Sequence, residues 1–328
     1  RVVKYSPRYR LAFSLLNEDA SSGNAAVSWE VEKALERFLR PTLDRFSVLH
    51  NFTLESQVQY HAPLAFKPIT LENGIDRIHG LTQEDLTVFV NSAQWTLSSS
   101  VSNDPVLHFV LFVPSTSNKP LHILNNEGQP IPSNAFILPQ WGGIILLNEP
   151  TSHLSTTALR TSFAIFRQQL LALLGVLSES GDTSFSDSQL DQLIKRRTYE
   201  NVKDTQETLQ SIVALVKQIE NMPVGQDVKG DVQNALNELD QAFAVAASSP
   251  IDALTHSSEA VKLASRAFFN PGMLALLYFP AEHKYAVYAP LFTSIAAPLV
   301  AAVVREFLAW KRSRHQNAGA TGGRPKVE

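Results

Sequence analysis

The sequence predicts a mixed α/β domain, then an amphipathic helical hairpin or bundle, and finally one C-terminal transmembrane helix. Three observations support this fold class. Strand and helix patterns mix over residues 1–186, only helical periodicity follows over residues 187–270, and residues 285–304 carry no charge. With 44% hydrophobic and 18% charged residues in a length of 328, the chain has the composition of a folded globular protein.

The first elements are a strand and a broken helix. Apolar side chains from Tyr9 to Leu15 alternate with Arg10, Ala12 and Ser14, which predicts a half-buried strand. After a polar loop, Ser28 is placed to cap a helix. Its apolar face would consist of Val31, Leu35, Phe38 and Leu39. Pro41 is expected to kink or break that helix.

Further short apolar runs predict the rest of the sheet. They cover residues 52–60, 86–90, 106–113, 121–124, 135–138 and 143–147. The run 106–113 is apolar almost throughout, which favours a central buried strand. From residue 156 to residue 176 the periodicity becomes helical, and this helix is expected to cover the sheet.

A Ser/Asp-rich segment at residues 181–188 separates the α/β part from three amphipathic helices. The first two helices are predicted from Leu190 to Ile219 and from Val228 to Ala246. The third begins with Ser249 as N-cap and Pro250 in the first turn. Short connections between the helices favour antiparallel neighbours, and residues 271–284 form a juxtamembrane segment.

The segment from Tyr285 to Val304 predicts a membrane span. Sixteen of its 20 residues are apolar and none is charged. A helix of this length covers about 30 Å of hydrocarbon at about 1.5 Å per residue. A soluble helix would show a polar face, which this segment lacks. The alternative is a buried core helix kinked at Pro290 and Pro298.

The distribution of basic residues around the span predicts its orientation in the membrane. Basic residues crowd the C-terminal flank, so the positive-inside rule predicts a cytosolic tail at residues 305–328 and a luminal body before the span. The tripeptide Asn51-Phe52-Thr53 is the one N-glycosylation sequon in the sequence. Because it falls in the part assigned to the lumen, Asn51 is predicted to carry a glycan.

Composition excludes several kinds of chemistry. The chain has no cysteine, which removes disulfides, thiol nucleophiles, Cys-based zinc sites and iron–sulfur clusters. The motifs of serine hydrolases, zinc proteases and nucleotide-binding loops are absent, and no two histidines lie four residues apart on a predicted helix. A net charge of −3 also speaks against a nucleic-acid partner. We therefore predict no catalytic residue, metal ligand or cofactor.

Four features nevertheless have a functional alternative. His108 lies in an apolar run and is interpreted as a core or interfacial histidine, not a catalytic one. Asp104 and Glu149 could form a carboxylate pair if they meet in space. The sequence Trp141-Gly142-Gly143 favours a tight turn over a ligand-binding nest. The run Lys195-Arg196-Arg197 favours a solvated helix face over a phosphate site.

Short motifs in a fixed order along the chain resemble the PIG-S family of glycosylphosphatidylinositol (GPI) transamidase subunits. They are Val2-Val3-Lys4-Tyr5-Ser6-Pro7, Phe13-Ser14-Leu15-Leu16-Asn17, Ser133-Asn134-Ala135-Phe136, Trp141-Gly142-Gly143-Ile144, Ala267-Phe268-Phe269-Asn270-Pro271, Leu276-Leu277-Tyr278-Phe279-Pro280 and Tyr288-Ala289-Pro290-Leu291-Phe292. Residues 151–230 match mainly in pattern. The sequon at Asn51 matches a family Asn-Phe-Ser/Thr position.

The resemblance implies a membrane complex of the endoplasmic reticulum that replaces the C-terminal signal of a precursor protein with a GPI anchor. In that complex the cysteine nucleophile belongs to PIG-K, and PIG-S is a non-catalytic subunit assembled with PIG-K, PIG-T, PIG-U and a GPAA-type subunit. The family also has an earlier transmembrane helix and more luminal chain, which implies an incomplete sheet here. Two alternatives remain: a module that presents the precursor peptide or glycolipid, and a luminal enzyme acting on glycans or lipids.

Overall fold

The computed structural model describes residues 2–73, 76–88, 104–176, 185–218, 224–273 and 281–319. The chain divides into two compact units, each built from two stretches of sequence. The first unit contains residues 1–204 and 237–261, and the second contains residues 205–236 and 262–328. The fold is mixed α/β with one long apolar helix near the C-terminus, as predicted. The predicted domain boundaries remain a prediction.

The first unit is built on a five-stranded sheet. Its strands, in spatial order, are β3 (Asn51–Gln59), β1 (Arg8–Asn17), β6 (Val106–Val113), β9 (Gly142–Leu146) and β8 (Ala135–Leu138). The first four are parallel, and β8 runs antiparallel to β9 at the edge. The predicted central position of β6 is confirmed.

Strand β1 is buried on both faces, so the expectation of a half-buried strand was wrong. It pairs with β3 on one side and with β6 on the other, which makes it an interior strand. Arg10, Ala12 and Ser14 are all buried although they alternate with the apolar residues. Arg10 can be buried because its guanidinium donates to both carboxylate oxygens of Glu55, at 2.6 and 2.8 Å.

Helices cover one face of this sheet. They are α1 (Val31–Ala34), a π-helical turn (Leu35–Leu39), α2 (Arg40–Phe46) and α4 (Arg160–Leu174). Pro41 stands in the first turn of α2, and the π-turn precedes it because proline has no N–H to continue the ladder. The helices bury a ring cluster against the sheet, formed by Phe13, Phe109, Phe163 and Phe166.

A second, smaller sheet contributes to the apolar core on the opposite face. Its strands are β4 (Ile69–Asn73), β5 (Asp76–Leu81) and β7 (Leu121–Ile123). The helix α3 (Gln83–Val88) follows β5. The strand predicted at residues 86–90 was therefore wrong as far as residue 88, and residues 89–90 lie outside the described residues. Thr82 accounts for the helix, because Thr82 and Asp85 cap its first turn reciprocally.

Ser28 does not cap a helix. It lies in the short strand β2 (Ser28–Trp29), which pairs with β10 (His153–Leu154). Its hydroxyl is 2.8 Å from Nδ1 of His153, so it is engaged across the strand pair. The N-cap position of α1 is Glu30 instead, and its carboxylate accepts hydrogen bonds from the backbone N–H and the hydroxyl of Thr156.

The helical part consists of α5 (Asp187–Gln218), α6 (Gln226–Val245) and α7 (Pro250–Phe268). The predicted cap of α7 is confirmed, since the N–H of Asp252 donates to Ser249 Oγ at 3.3 Å. Within the first unit, buried residues of α5 and α7 belong to the main core, namely Leu193, Ile194 and Leu254. Within the second unit, Arg266 donates to Asp231 at 2.7 Å.

Candidate functional site

The long C-terminal helix α8 (Ala281–Gly319) contains the segment that can cross a membrane. The candidate segment Ala286–Arg312 has 27 residues and contains an 18-residue window with a mean hydropathy of 1.9, none of which is buried. This exposure favours a candidate membrane span over the alternative of a buried, kinked core helix. The helix continues beyond the predicted span of residues 285–304 into the basic flank, and the bounds of the span within the helix stay a prediction.

The hydroxyl groups of Thr293 and Ser294, in the uncharged part of this segment, are satisfied within the helix. The hydroxyl of Thr293 donates to the carbonyl of Ala289 at 2.6 Å, and Ser294 contacts the carbonyls of Pro290 and Leu291. In hydrocarbon an unpaired hydroxyl would be costly, so these bonds make the segment compatible with lipid. Pro290 and Pro298 both stand inside the continuous helix.

The carboxyl ends of β1 and β6 are the place where open α/β sheets bind ligands. The chain leaves β1 toward β3, on one side, and leaves β6 toward β8 and β9, on the other. Glu18, which follows β1, fills the resulting crevice. Its carboxylate accepts hydrogen bonds from the N–H of Ser115 at 2.7 Å and from the side-chain amide of Asn118 at 2.5 Å.

Glu18 therefore makes this crevice a poor phosphate site. Its side chain is buried, and Ser115 beside it is buried as well. Nucleotide-binding members of this topology present backbone N–H groups to phosphate at the same place. Here a carboxylate of the chain itself takes up the N–H of Ser115, so an incoming anion would meet a negative charge.

His108 is a packed, neutral side chain. Burial lowers its pKa to about 4, with Arg10 adding to the effect and Glu55 opposing it. Its ring lies 4.9 Å from the ring of Trp141, and among the described residues its Nδ1 has no hydrogen-bond partner. A general base needs a polar partner and a pKa near the working pH, so the surroundings of His108 suit a core position.

Asp104 and Glu149 do not form a pair. Asp104 precedes β6, whereas Glu149 follows β9, and these two strands are parallel neighbours. The two carboxylates therefore lie at opposite ends of the sheet, about 25 Å apart for a strand of eight residues at about 3.3 Å per residue. Glycosidase pairs need a separation below about 10 Å. Within the part of the chain that the structure describes, no three His, Asp or Glu side chains come together as metal ligands.

The glycines of Trp141-Gly142-Gly143 permit close packing. A Cβ on Gly142 would lie 1.8 Å from the carbonyl oxygen of His108, and one on Gly143 would lie 2.0 Å from Oε1 of Gln169. Gln169 reaches across from α4 and donates to the carbonyl of Phe136 at 3.0 Å. Trp141 lies in the turn before β9, as predicted, but both glycines lie in the strand itself. Neighbouring groups fill the space beside the two glycines, which leaves no room there for a ligand.

The basic run Lys195-Arg196-Arg197 is only partly solvated. Arg197 is 1% exposed, which corrects the expectation of a solvated face, while Lys195 and Arg196 are exposed. The guanidinium of Arg197 donates to the carbonyl of Leu174 at 3.0 Å and to Glu200 at 2.7 Å. The helical spacing could have indicated this, because Arg197 follows the buried Leu193 by four residues.

The sequon lies at the beginning of an edge strand. Asn51 is the first residue of β3, and both Asn51 and Thr53 are exposed. Strand β3 is the outer strand of the five-stranded sheet. The side chain of Asn51 can therefore be reached from solvent, which a glycan requires.

A family profile described as "PIG-S: Phosphatidylinositol-glycan biosynthesis class S protein" matches residues 1–313. A mouse protein named "GPI-anchor transamidase component PIGS" is 34% identical over 333 residues, which cover 95% of this chain and 59% of that protein. The fission yeast "GPI transamidase component PIG-S homolog" is 31% identical over 331 residues, covering 99% and 58%. "GPI transamidase component GPI17" of Saccharomyces cerevisiae is 30% identical over 313 residues, covering 90% and 57%. The chain thus spans less than two thirds of the length of these relatives.

Proposed function

The chain belongs to the PIG-S family, and from that premise we propose that it is a non-catalytic structural and assembly subunit of the GPI transamidase. The observation that carries the proposal is the family match over residues 1–313, which includes both the α/β body and the membrane helix. Relatives from mouse and two yeasts are each named as a component of this transamidase.

In this proposal α8 anchors the protein in the membrane of the endoplasmic reticulum. The basic flank after the span supports a cytosolic tail at residues 305–328 and a luminal body. Small side chains at Ala296, Ala297 and Ala301 would let transmembrane helices of other subunits approach closely. The exposed Asn51 would then be available for glycosylation in the lumen.

The residues of the α/β body support an assembly role better than a catalytic role. The chain has no cysteine, His108 is neutral and packed, and Asp104 and Glu149 are separated by the length of the sheet. We therefore propose that the nucleophile comes from PIG-K, and that this chain holds PIG-K together with PIG-T, PIG-U and the GPAA-type subunit.

Co-purification tests the assembly role. The tagged full-length protein is expressed in cells that lack their own copy and is solubilised in mild detergent. We expect all four partner subunits in the eluate. The matched control carries a leucine–alanine span of equal length in place of residues 286–312, which keeps the anchor but removes its particular surface and should lower the yield. Recovery of the correctly inserted protein without any partner subunit would refute the proposal.

Complementation tests the non-catalytic role. Alanine is placed at His108, Asp104 and Glu149, singly and together, and surface display of a GPI-anchored reporter is measured in null cells. We expect each variant that accumulates normally to restore display. Loss of display at a normal protein level and with a normal set of co-purified subunits would indicate chemistry on this chain.

A further inference from the structure

A small cavity opens on the first unit where α6 ends and α7 begins. Its volume is about 200 Å³. Side chains from α5, α6 and α7 line it, among them Tyr199, Val202, Phe243, Ala246, Pro250 and Ala253. The lining is mostly apolar, and Lys195 lies at its rim on α5.

Two aromatic side chains stand open at this cavity. Tyr199 is 68% exposed and Phe243 is 57% exposed, whereas the neighbouring Leu193 and Leu239 on the same helices are buried. Large apolar side chains that are exposed together at a concave surface mark interaction sites. Aromatic residues in such positions often supply most of the binding energy of an interface.

The rim of the cavity offers donors without partners. Arg196 and Arg197 both bind Glu200, at 2.9 and 2.7 Å. Within the described residues, Lys195 has no ion-pair partner and the hydroxyl of Tyr199 has no hydrogen bond. Lys195 and Tyr199 are one helical turn apart, so both point to the same side of α5. A ligand that complements this rim carries an anionic group, which in an unmodified protein partner is a carboxylate.

The volume of the cavity limits which ligand groups can enter it. About 200 Å³ lies below the usual range of small-molecule sites, which begins near 300 Å³, but it holds one bulky aliphatic or aromatic side chain. Grooves between helices bind amphipathic helices through such anchors. The apolar lining offers few partners to a sugar, and the volume is too small for a lipid chain.

We propose that this cavity docks an acidic amphipathic helix of another transamidase subunit. One bulky apolar side chain enters between Tyr199 and Phe243, and a carboxylate one turn away binds Lys195. The inference rests on the proposed function, since it deepens the assembly role by assigning a surface and the chemistry of its partner.

Site-specific photo-crosslinking in the intact complex tests the inference. Benzoylphenylalanine replaces Tyr199 in the full-length protein, and crosslinked peptides are identified by mass spectrometry after purification with the partner subunits. We expect a crosslink to a helix of another subunit that bears an apolar anchor next to Asp or Glu. Lys195→Glu and Phe243→Ser should each lower the crosslink yield per purified complex about fivefold or more.

Two matched variants control for surface changes as such. Lys229→Glu reverses an exposed helical lysine outside the cavity, and Val48→Ser removes an exposed apolar side chain elsewhere. Both should crosslink within about twofold of the unchanged protein. Reversing the partner carboxylate to lysine should restore the crosslink of Lys195→Glu.

The outcomes separate the two proposals. If the partner subunits co-purify but the crosslink goes to lipid, to a second copy of this chain or to a neutral segment, or is absent, the docking site is wrong and the assembly role stands. The same holds if Lys195→Glu and Phe243→Ser crosslink normally. If no partner subunit co-purifies with the unchanged protein, both proposals fall.

Discussion

Arg197 and Lys195 are two residues apart in one basic run. We expect the protein to lose stability when Arg197 is replaced by methionine and to change little when Lys195 is replaced. Arg197 is buried and donates to the last carbonyl of α4, at Leu174, and to Glu200. Lys195 is exposed. Methionine keeps most of the aliphatic stem in both cases, so the comparison isolates the charged head.

The expected loss for Arg197→Met is about 3 kcal/mol of unfolding free energy. Stranding the carbonyl of Leu174 costs about 1–3 kcal/mol, and losing the bond to the carboxylate of Glu200 costs about 1.5–3 kcal/mol. Two features reduce the sum. Glu200 keeps Arg196 as a partner at 2.9 Å, and the substitution also removes Nε of Arg197, which has no partner among the described residues. Lys195→Met should change the free energy by less than about 0.5 kcal/mol.

Urea unfolding of the full-length protein in detergent, followed by tryptophan fluorescence, measures both values. Trp29 packs against the main core and Trp141 against the core on the opposite face, so both report on the first unit. A loss below about 1 kcal/mol for Arg197→Met, or an equal loss for Lys195→Met, would refute the assignment of Arg197 as a buried structural residue.

Burial lowers the pKa of His50 and of His108 to about 4, from an unfolded value of about 6.5. The two neutral histidines therefore contribute their full share to the free energy of unfolding above pH 6.5, and this contribution is lost as the pH falls toward 4. At pH 5 each should have lost about 2 kcal/mol, which urea midpoints at pH 7 and pH 5 would reveal. Asn51→Gln should abolish one glycosidase-sensitive shift in gel mobility without changing protein level. Gly142→Ala should lower the unfolding free energy by about 1–3 kcal/mol, because its Cβ would lie 1.8 Å from the backbone carbonyl oxygen of His108.

Each of these expectations has a control within the chain. His108→Gln should remove about half of the pH effect, and an unchanged pH effect would contradict it. Thr53→Ala should reproduce the loss of the glycan and Thr53→Ser should keep it; a shift that persists in Thr53→Ala would exclude glycosylation at Asn51. Gly230→Ala, where a Cβ meets nothing within 4 Å, should be neutral or stabilising by up to about 1 kcal/mol. A similar effect of the two glycine changes would contradict the packing argument.

Local patterns were sufficient for much of the fold. The apolar run of β6, the cap at Ser249 and the uncharged stretch of α8 depend on neighbours in sequence, and all three were predicted correctly. The prediction of a half-buried strand β1 was wrong because its burial depends on residues that are distant in sequence. Arg10 and Ser14 can be buried because β3 contributes Glu55 and Gln57 as their partners, more than 40 residues away, and no window of single-sequence periodicity contains these partners.

Long-range polar contacts also explain what sequence reasoning missed at the candidate sites. The carboxylate of Glu18 in the crevice accepts a hydrogen bond from the N–H of Ser115, which is 97 residues away. No local sequence motif indicates a contact between residues so far apart. Phe243 follows the buried Leu239 by four residues and so has the spacing of a buried position on an amphipathic helix, yet it is exposed, as is Tyr199. Only the packing of three helices reveals that these two belong to an open cavity.

The crevice filled by Glu18 and the open cavity beside Tyr199 and Phe243 together indicate where this protein can bind a partner. An open α/β sheet alone would suggest a ligand at the carboxyl ends of its parallel strands, but fold does not determine function, and here Glu18 occupies that place. Exposed apolar surface is found instead on α8 and around Tyr199 and Phe243. Binding energy follows desolvated apolar contact, so substitutions at Glu18 should act on stability, whereas substitutions at Phe243 should act on association.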